Sequence, residues 1–175
     1  VRDSLEEGQL YYGQHEREVV LAKKIIEIIP SAERVRFASS GSEAIHASIR
    51  VSRAYSKKKL IIKFDGQYHG WFDNQFISIN PLNNRKKEYN SYGATLESIG
   101  QSLGAAEDVL SIPWNDINIF KKTIDNYKNQ IAAIIMEPVM CNTCVITPQN
   151  NYLEEVRKIC TDNNIILIFD EVITG

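Results

Sequence analysis

The chain of 175 residues has the length of one ordinary globular domain. Its composition, 43% hydrophobic and 24% charged, is typical of a soluble folded protein. A net charge of −2 with interspersed acids and bases excludes a basic surface for nucleic acid, and the absence of a long apolar run or a signal peptide predicts a cytoplasmic protein with no membrane partner.

The three cysteines indicate no disulfide framework, because their number is odd and no secretory signal precedes them. Cys141 and Cys144 have the spacing of a metal-binding or redox pair. A tetrahedral zinc ion would need two more ligands, however, and the three histidines are scattered along the chain. We therefore predict no metal site and interpret these cysteines as loop thiols.

Helices and strands alternate in the first part of the chain. Apolar residues at helical spacing predict a helix over 18–29, which ends before Pro30, and a longer helix over 41–55. Short apolar runs predict strands at 35–38 and 60–64. The inner stripe of the longer helix is predicted from small side chains, Ala44, Ala47, Val51 and Ala54.

The segment 80–110 is rich in Asn, Ser, Gly and Lys without a clear period, which predicts a long polar loop. A helix from Ile117, capped by Asn115 or Asp116, and a strand over 131–136 are predicted next. A further helix around Val156 leads to a strand over 165–169. This alternation predicts an α/β fold, a mainly parallel sheet flanked by helices, in one domain over 1–175 that is incomplete at both ends.

The last strand leads directly into Asp170. An apolar run before an acid is typical of a buried parallel strand that brings a carboxylate to the C-terminal edge of a sheet, where α/β proteins bind ligands. A carboxylate buried there needs a cationic partner. The same pattern occurs in P-loop ATPases, but the sequence lacks their G-x-x-x-x-G-K-[ST] loop, so that function is a distant alternative.

The turn Ser39–Glu43 joins the strand at 35–38 to the following helix. Its main-chain N–H groups, hydroxyls and Gly41 are suited to hold a phosphate at the helix N-terminus. The spacing of Ser40 and Glu43 is also that of a capping box, which occurs at ordinary helix starts. From these residues alone, both interpretations stay open.

Two more loops follow predicted strands and so reach the same edge of the sheet. Tyr68 offers a ring that either stacks on a planar cofactor or anchors its own loop, and His69, without a visible partner, indicates a structural role. Glu137 and Asn142 place a carboxylate and an amide at this edge. Since a proline restricts the residue before it to extended geometry, Glu137 alternatively only closes its strand.

Taken together, these segments resemble the class III aminotransferases, pyridoxal-phosphate enzymes of fold type I. The matching stretches follow the family's order: Glu16–Glu18, Val35–Ala44, Tyr68–Gly70, Ile131–Val139, and Ile168–Val172 with Thr174 and Gly175. They cover nearly the whole chain apart from the predicted polar loop. The resemblance implies a partial cofactor-binding large domain, pyridoxal 5′-phosphate as cofactor, a small-molecule amino donor and acceptor, and a homodimer when full length.

The resemblance also implies a role for each matching site residue. The implied cofactor-binding residues are Ser40, Gly41, Ser42, Tyr68, His69, Glu137, Asn142, Asp170 and Val172. Gly41 and Ser42 would hold the phosphate, while Tyr68 and Val172 would pack on opposite faces of the ring. Asp170 is the implied catalytic residue, paired with the pyridine nitrogen of a cationic ring that supplies its charge partner. Asn142 would lie near the phenolic oxygen, and Glu137 would support the site from behind.

In this family, the lysine that binds the cofactor as a Schiff base lies beyond the Asp-Glu-Val strand. We therefore expect that lysine on a segment absent from this chain. The lysines around the strand at 60–64, Lys63 included, indicate solvated surface. The chain alone is accordingly expected to be inactive, as part of a longer active enzyme.

Two departures from the family's aminomutases bear on the substrate. Those enzymes continue with a second histidine where Trp71 stands, and they usually carry glycine where Cys141 and Cys144 stand. Two enzyme functions stay open: an aminomutase that moves an amino group within an amino-aldehyde, and a transaminase of another amine or amino acid in a biosynthetic pathway. A truncated product without a catalytic role is an alternative of a different class.

Overall fold

The computed structural model describes residues 1–8, 11–80 and 93–175, which form two compact units, Val1–Ala38 and Ser39–Gly175. The smaller unit contains helices α1 (Arg2–Glu6) and α2 (Glu16–Ile28). Helix α2 confirms the helix predicted at 18–29 and begins two residues earlier, where the His15 side chain accepts a hydrogen bond from the Arg17 N–H. The strand predicted at 35–38 is wrong: this segment pairs with none of the described strands and therefore lacks the ladder that defines a strand.

The larger unit contains three helices and four strands within its described residues. In chain order they are α3 (Gly41–Ser56), β1 (Leu60–Phe64), β2 (Val109–Ile112), α4 (Ile117–Tyr127), β3 (Ile131–Met136), α5 (Tyr152–Asp162) and β4 (Ile166–Phe169). Strand β2 and a short 3₁₀ helix before it (Leu103–Ala106) are not predicted from the sequence, because both are only four residues long and follow a polar stretch. Part of the predicted loop, 81–92, lies outside the described residues. None of the described helices is long and apolar enough to cross a membrane.

The four strands form one parallel sheet in the order β2-β1-β3-β4. This confirms the predicted α/β fold with a parallel sheet. From β1 the chain continues to the neighbour on one side, β2, and then returns to the other side as β3. The order therefore reverses between β1 and β3, and the C-terminal ends of these strands flank a switch point, where open α/β sheets bind ligands.

Helices cover both faces of the sheet. On one face, α4 and α5 close a core that contains Phe64, Phe120 and Val156, all fully buried. On the other face, α3 packs on β3 and β4 through Ile45 and Ile49. The predicted inner stripe of α3 is therefore wrong: the branched side chains one turn apart bury more apolar area than alanines, and they face the sheet.

Candidate active site

A cavity of about 330 Å³ opens at the C-terminal edge of the sheet, by the switch point. Four segments line it: the start of α3 and the loops that follow β1, β3 and β4. Its lining includes all nine residues predicted as cofactor-binding: Ser40, Gly41, Ser42, Tyr68, His69, Glu137, Asn142, Asp170 and Val172. Six further lining residues are Ile45, Gly70, Trp71, Val139, Ile173 and Thr174. The structure thus brings the predicted residues together, while their individual roles stay predictions.

The N-terminus of α3 faces this cavity with two free donors. Ser40 caps the helix, since its hydroxyl accepts a hydrogen bond from the Glu43 N–H at 3.3 Å, and the Glu43 carboxylate accepts one from the Ser39 N–H at 2.7 Å. The capping interpretation is therefore correct. Capping leaves the N–H groups of Gly41 and Ser42 without an acceptor among the described residues, so the same turn also presents donors to an anion.

The loop after β1 folds closely over the start of α3. The Trp71 N–H donates to the Ser42 hydroxyl at 3.4 Å, and the Gln75 amide donates to the Ser42 carbonyl at 3.0 Å. Gly70 has a φ of +109°, and a Cβ at this position would lie 2.5 Å from the Ser42 hydroxyl oxygen and 3.0 Å from its Cα. Only glycine permits this contact between loop and helix without displacement.

Asp170 directly follows β4 and is 8% exposed. Its Oδ2 lies 2.8 Å from His69 Nδ1, and its Oδ1 accepts a hydrogen bond from the Val172 N–H at 3.2 Å. His69 is thus the partner that the sequence does not reveal, 101 positions away. Strand β4, which precedes Asp170, is less buried than predicted, and Phe169 is half-exposed. The reason is that β4 is the outer strand of the described sheet.

Burial keeps His69 neutral. Desolvation lowers the pKa of the imidazole below its ordinary value of 6.5, with the nearby Lys63 acting in the same direction, although the hydrogen bond to Asp170 opposes the shift. A neutral ring that faces a carboxylate with Nδ1 donates its proton there. His69 therefore holds the Asp170 carboxylate in place at the wall of the cavity.

This buried histidine predicts a stability that falls with acidification. The unfolded chain takes up a proton on His69 as the pH drops through about 6.5, whereas the folded protein resists it, so protonation favours unfolding. Urea unfolding of the wild type and of His69→Gln at about pH 8 and about pH 5.5 tests this. We expect the wild type to lose more stability than the variant between the two values; equal losses would contradict the assignment.

Glu137 joins the loop after β1 to the loop after β3. Its buried carboxylate accepts hydrogen bonds from the Tyr68 N–H at 2.9 Å and from the Cys141 N–H at 2.8 Å. The amide side chain of Gln67 accepts from the Glu137 N–H at 2.9 Å and donates to the Glu137 carbonyl at 3.2 Å. Glu137 therefore does more than close its strand.

The predicted surface position of Lys63 is wrong. Its position in the sequence predicts solvated surface, but the Lys63 side chain is 2% exposed, in the middle of the sheet. Its ammonium donates to the carbonyls of Gln67 and Ile77. The periodicity of β1 explains the error, since Ile61 and Lys63 share the face toward α3, whereas Ile62 and Phe64 face α4 and α5.

The rim of the cavity is apolar and partly open. Tyr68 is 40% exposed, with its ring edge-on to Phe76 at 6.3 Å between centroids. Trp71, Val172 and Ile173 are more exposed still. The described lining residues include no lysine or arginine, so an anion bound here would depend on main-chain donors and hydroxyls of this part of the chain.

The cysteines do not build a metal site in the described part of the chain. No group of three or more potential metal ligands exists there, and Cys141 and Cys144 are free thiols in the loop after β3. Burial raises the pKa of the Cys160 thiol to about 12, which makes it an unreactive core residue.

Comparison with known proteins identifies the family. The model of the family "Aminotransferase class-III" matches residues 6–175, which is almost the whole chain. The chain belongs to the class III aminotransferases. This confirms the resemblance inferred from the motifs around Gly41, Tyr68, Glu137 and Asp170.

Curated relatives within the family point to one enzyme name. The chain is 41% identical over 175 residues to the glutamate-1-semialdehyde 2,1-aminomutase of Acetivibrio thermocellus, and 41% identical over 179 residues to that of Methanocaldococcus jannaschii. Both matches cover 100% of this class III chain and 39% of the relative. The chain thus spans about two fifths of the length of the curated relatives it matches.

Solved structures confirm the fold. An omega-transaminase from Sphaerobacter thermophilus superposes with a TM-score of 0.89 at 31% identity, over 98% of this chain and 39% of that one. A glutamate-1-semialdehyde aminomutase from Pseudomonas aeruginosa superposes with a TM-score of 0.78 at 16% identity, over 99% and 36%, and supports the fold alone. The predicted fold type I α/β architecture is therefore correct for this class III chain.

Two residues that shape the class III site are not predicted from the sequence. Gly70 lies within the matching stretch Tyr68–Gly70, but its steric role depends on Ser42, which is far away in the sequence. Gln67 carries no distinctive sequence signal, because its partner Glu137 lies 70 positions away. A polar residue just after a buried strand is the only pattern that marks it, and that pattern is common.

Proposed function

We propose that this chain holds the cofactor of a pyridoxal-phosphate-dependent enzyme that transfers amino groups. The observation that carries the proposal is the buried Asp170 carboxylate, which faces the same cavity as the free N–H groups of Gly41 and Ser42. A cavity with anion donors from one segment and a fixed carboxylate from another suits a ligand that is both a phosphate ester and a cationic heterocycle.

The donor set fits pyridoxal 5′-phosphate. Gly41 and Ser42 would bind its phosphate, and Ser40 would keep their turn in place through its capping bond. Tyr68 and Val172 would pack on the ring from opposite sides, and Asn142 would lie near the phenolic oxygen. When bound, this cofactor supplies an electron sink for the carbon that loses a proton.

Asp170 and His69 would serve the ring nitrogen together. The carboxylate would hold a proton on that nitrogen, and the cationic ring would be the charge partner that a buried Asp170 needs. Neutral His69 fixes the carboxylate by its 2.8 Å hydrogen bond without cancelling its charge. Glu137 would support the site from behind, through the N–H groups that it binds.

For the substrate, we propose glutamate-1-semialdehyde, on which the similar curated enzymes act by name. The second candidate is a transaminase of another amine or amino acid, which the similarity to the Sphaerobacter omega-transaminase and the exposed Trp71 at the cavity rim favour. We also propose a homodimer in the cytoplasm, with 1–175 as part of its cofactor-binding domain.

The test uses the full-length protein reconstituted with pyridoxal 5′-phosphate. Binding is expected to change the cofactor's visible absorbance, and an amino donor is expected to convert the cofactor from its aldehyde to its amine form. Glutamate-1-semialdehyde alone should then yield the isomer with the amino group on the neighbouring carbon. Conversion only with a separate donor and acceptor supports the transaminase, and a protein that binds no cofactor contradicts the proposal.

A further inference from the structure

The end of the β1–β3 ladder is extended by a side chain. Gln67 follows β1 and is fully buried. Its amide makes both hydrogen bonds that a neighbouring peptide group would make to Glu137, one to the N–H and one to the carbonyl. The Gln67 side chain therefore replaces a rung of the sheet where the two strands have already separated at the switch point.

This rung fixes a buried carboxylate. Glu137 is 6% exposed, and an ionised group at that depth requires hydrogen bonds to stay charged. Its two oxygens are occupied by the N–H groups of Tyr68 and Cys141, which belong to different loops. The chain of contacts thus runs from Gln67 to the Glu137 main chain and on to both loops.

Each of these loops carries a residue that lines the cavity. Tyr68 lines the cavity, and its own N–H donates to Glu137. Asn142 also lines the cavity, and it directly follows Cys141, whose N–H donates to Glu137. A shift of the Glu137 carboxylate would move both together. Because the two N–H groups bind the two oxygens of one carboxylate, the spacing between the loops depends on how Glu137 is held.

We propose that Gln67 is a positioning residue for the cofactor, which sets the Tyr68 ring and Asn142 relative to each other through Glu137. The proposal rests on the function proposed above. Gln67 does not line the cavity, and its side-chain amide bonds to Glu137, through which it would act on the site. Its buried polar groups are all used: the main-chain carbonyl accepts from Lys63, and the N–H donates to the Phe64 carbonyl.

The test is Gln67→Leu in the full-length protein, which keeps most of the volume and removes both hydrogen bonds. In the cofactor-free protein, hydrogen exchange of the Tyr68 and Cys141 N–H groups is expected to rise about tenfold or more, because their shared acceptor is loosened. With pyridoxal 5′-phosphate, the dissociation constant is expected to rise about tenfold, together with a changed circular dichroism of the bound cofactor. Gln67→Glu is expected to raise the exchange rates and the dissociation constant similarly, since a carboxylate at this position would face the Glu137 carbonyl.

The matched control is Gln101→Leu. Gln101 is also a buried amide with bonds to main-chain groups, those of Asp73, Phe76, Glu97 and Ser98, but it contacts neither Glu137 nor the cavity lining. It should lose similar stability in urea with cofactor affinity within about twofold. Unchanged exchange in Gln67→Leu would overturn the proposal, as would an equal loss of affinity in both variants. If exchange is faster in Gln67→Leu but the wild type binds no cofactor at all, the proposed function would be overturned, while the link from Gln67 through Glu137 to both loops would stand.

Discussion

Asp170→Asn is expected to lower kcat/KM of the full-length enzyme by about 100- to 1,000-fold, the range seen when one preorganised electrostatic group is removed from an active site. The substitution keeps the shape of the side chain but removes its charge. An amide cannot hold a proton on a ring nitrogen as a carboxylate does, so the electron sink would be lost. The measurement combines steady-state rates with the cofactor dissociation constant.

Asp162→Asn is the matched control for this variant. Asp162 lies at the end of α5, where its carboxylate pairs with Lys158 at 2.9 Å on the exposed surface. Exposed pairs of this kind contribute little, so both rate and stability should stay close to wild type. If Asp170→Asn retained wild-type kcat/KM while still binding the cofactor, the carboxylate would have no part in the chemistry, and the proposed site would be wrong.

Much of this fold is predictable because it depends on local periodicity. Helix α4 and strand β3 are apparent from apolar spacing, and the Asp116 cap is confirmed, since its carboxylate accepts hydrogen bonds from the N–H groups of Asn118 and Ile119. Strand β2 is different, since four residues carry too little periodicity to be distinguished from a loop. The limit here is the length of the element.

The site, like the fold, has parts that are predictable from the sequence and parts that are not. Residues that follow strands, such as Tyr68 and Asp170, are predictable because parallel strands deliver their C-terminal ends to one edge. What joins them is not predictable: the contact of His69 with Asp170 spans 101 positions, and Lys63 is buried only because its strand is covered on both faces. A single sequence reports neither relation, since both arise from packing between distant segments.

Gly70→Ala is expected to destabilise the protein by about 2–4 kcal/mol, which adds the cost of a left-handed backbone to that of overpacking. The new methyl would lie 2.5 Å from the Ser42 hydroxyl oxygen and 3.0 Å from its Cα, and it would overlap the Gln75 amide oxygen. Gln75 can rotate, but the Ser42 main chain is part of the first turn of α3. We therefore expect the turn itself to move.

The displacement distinguishes a structural loss from a functional one. Because the N–H groups of Gly41 and Ser42 are the anion donors of the cavity, pyridoxal 5′-phosphate should bind at least about tenfold more weakly to Gly70→Ala, even where the variant is fully folded. Gly100→Ala is the matched control, since no heavy atom lies within 4 Å of its Cβ position. That variant should be neutral or slightly more stable in urea. If both alanine variants unfolded at the same urea concentration and bound the cofactor alike, the close packing of this loop on α3 would not be what holds the donors in place.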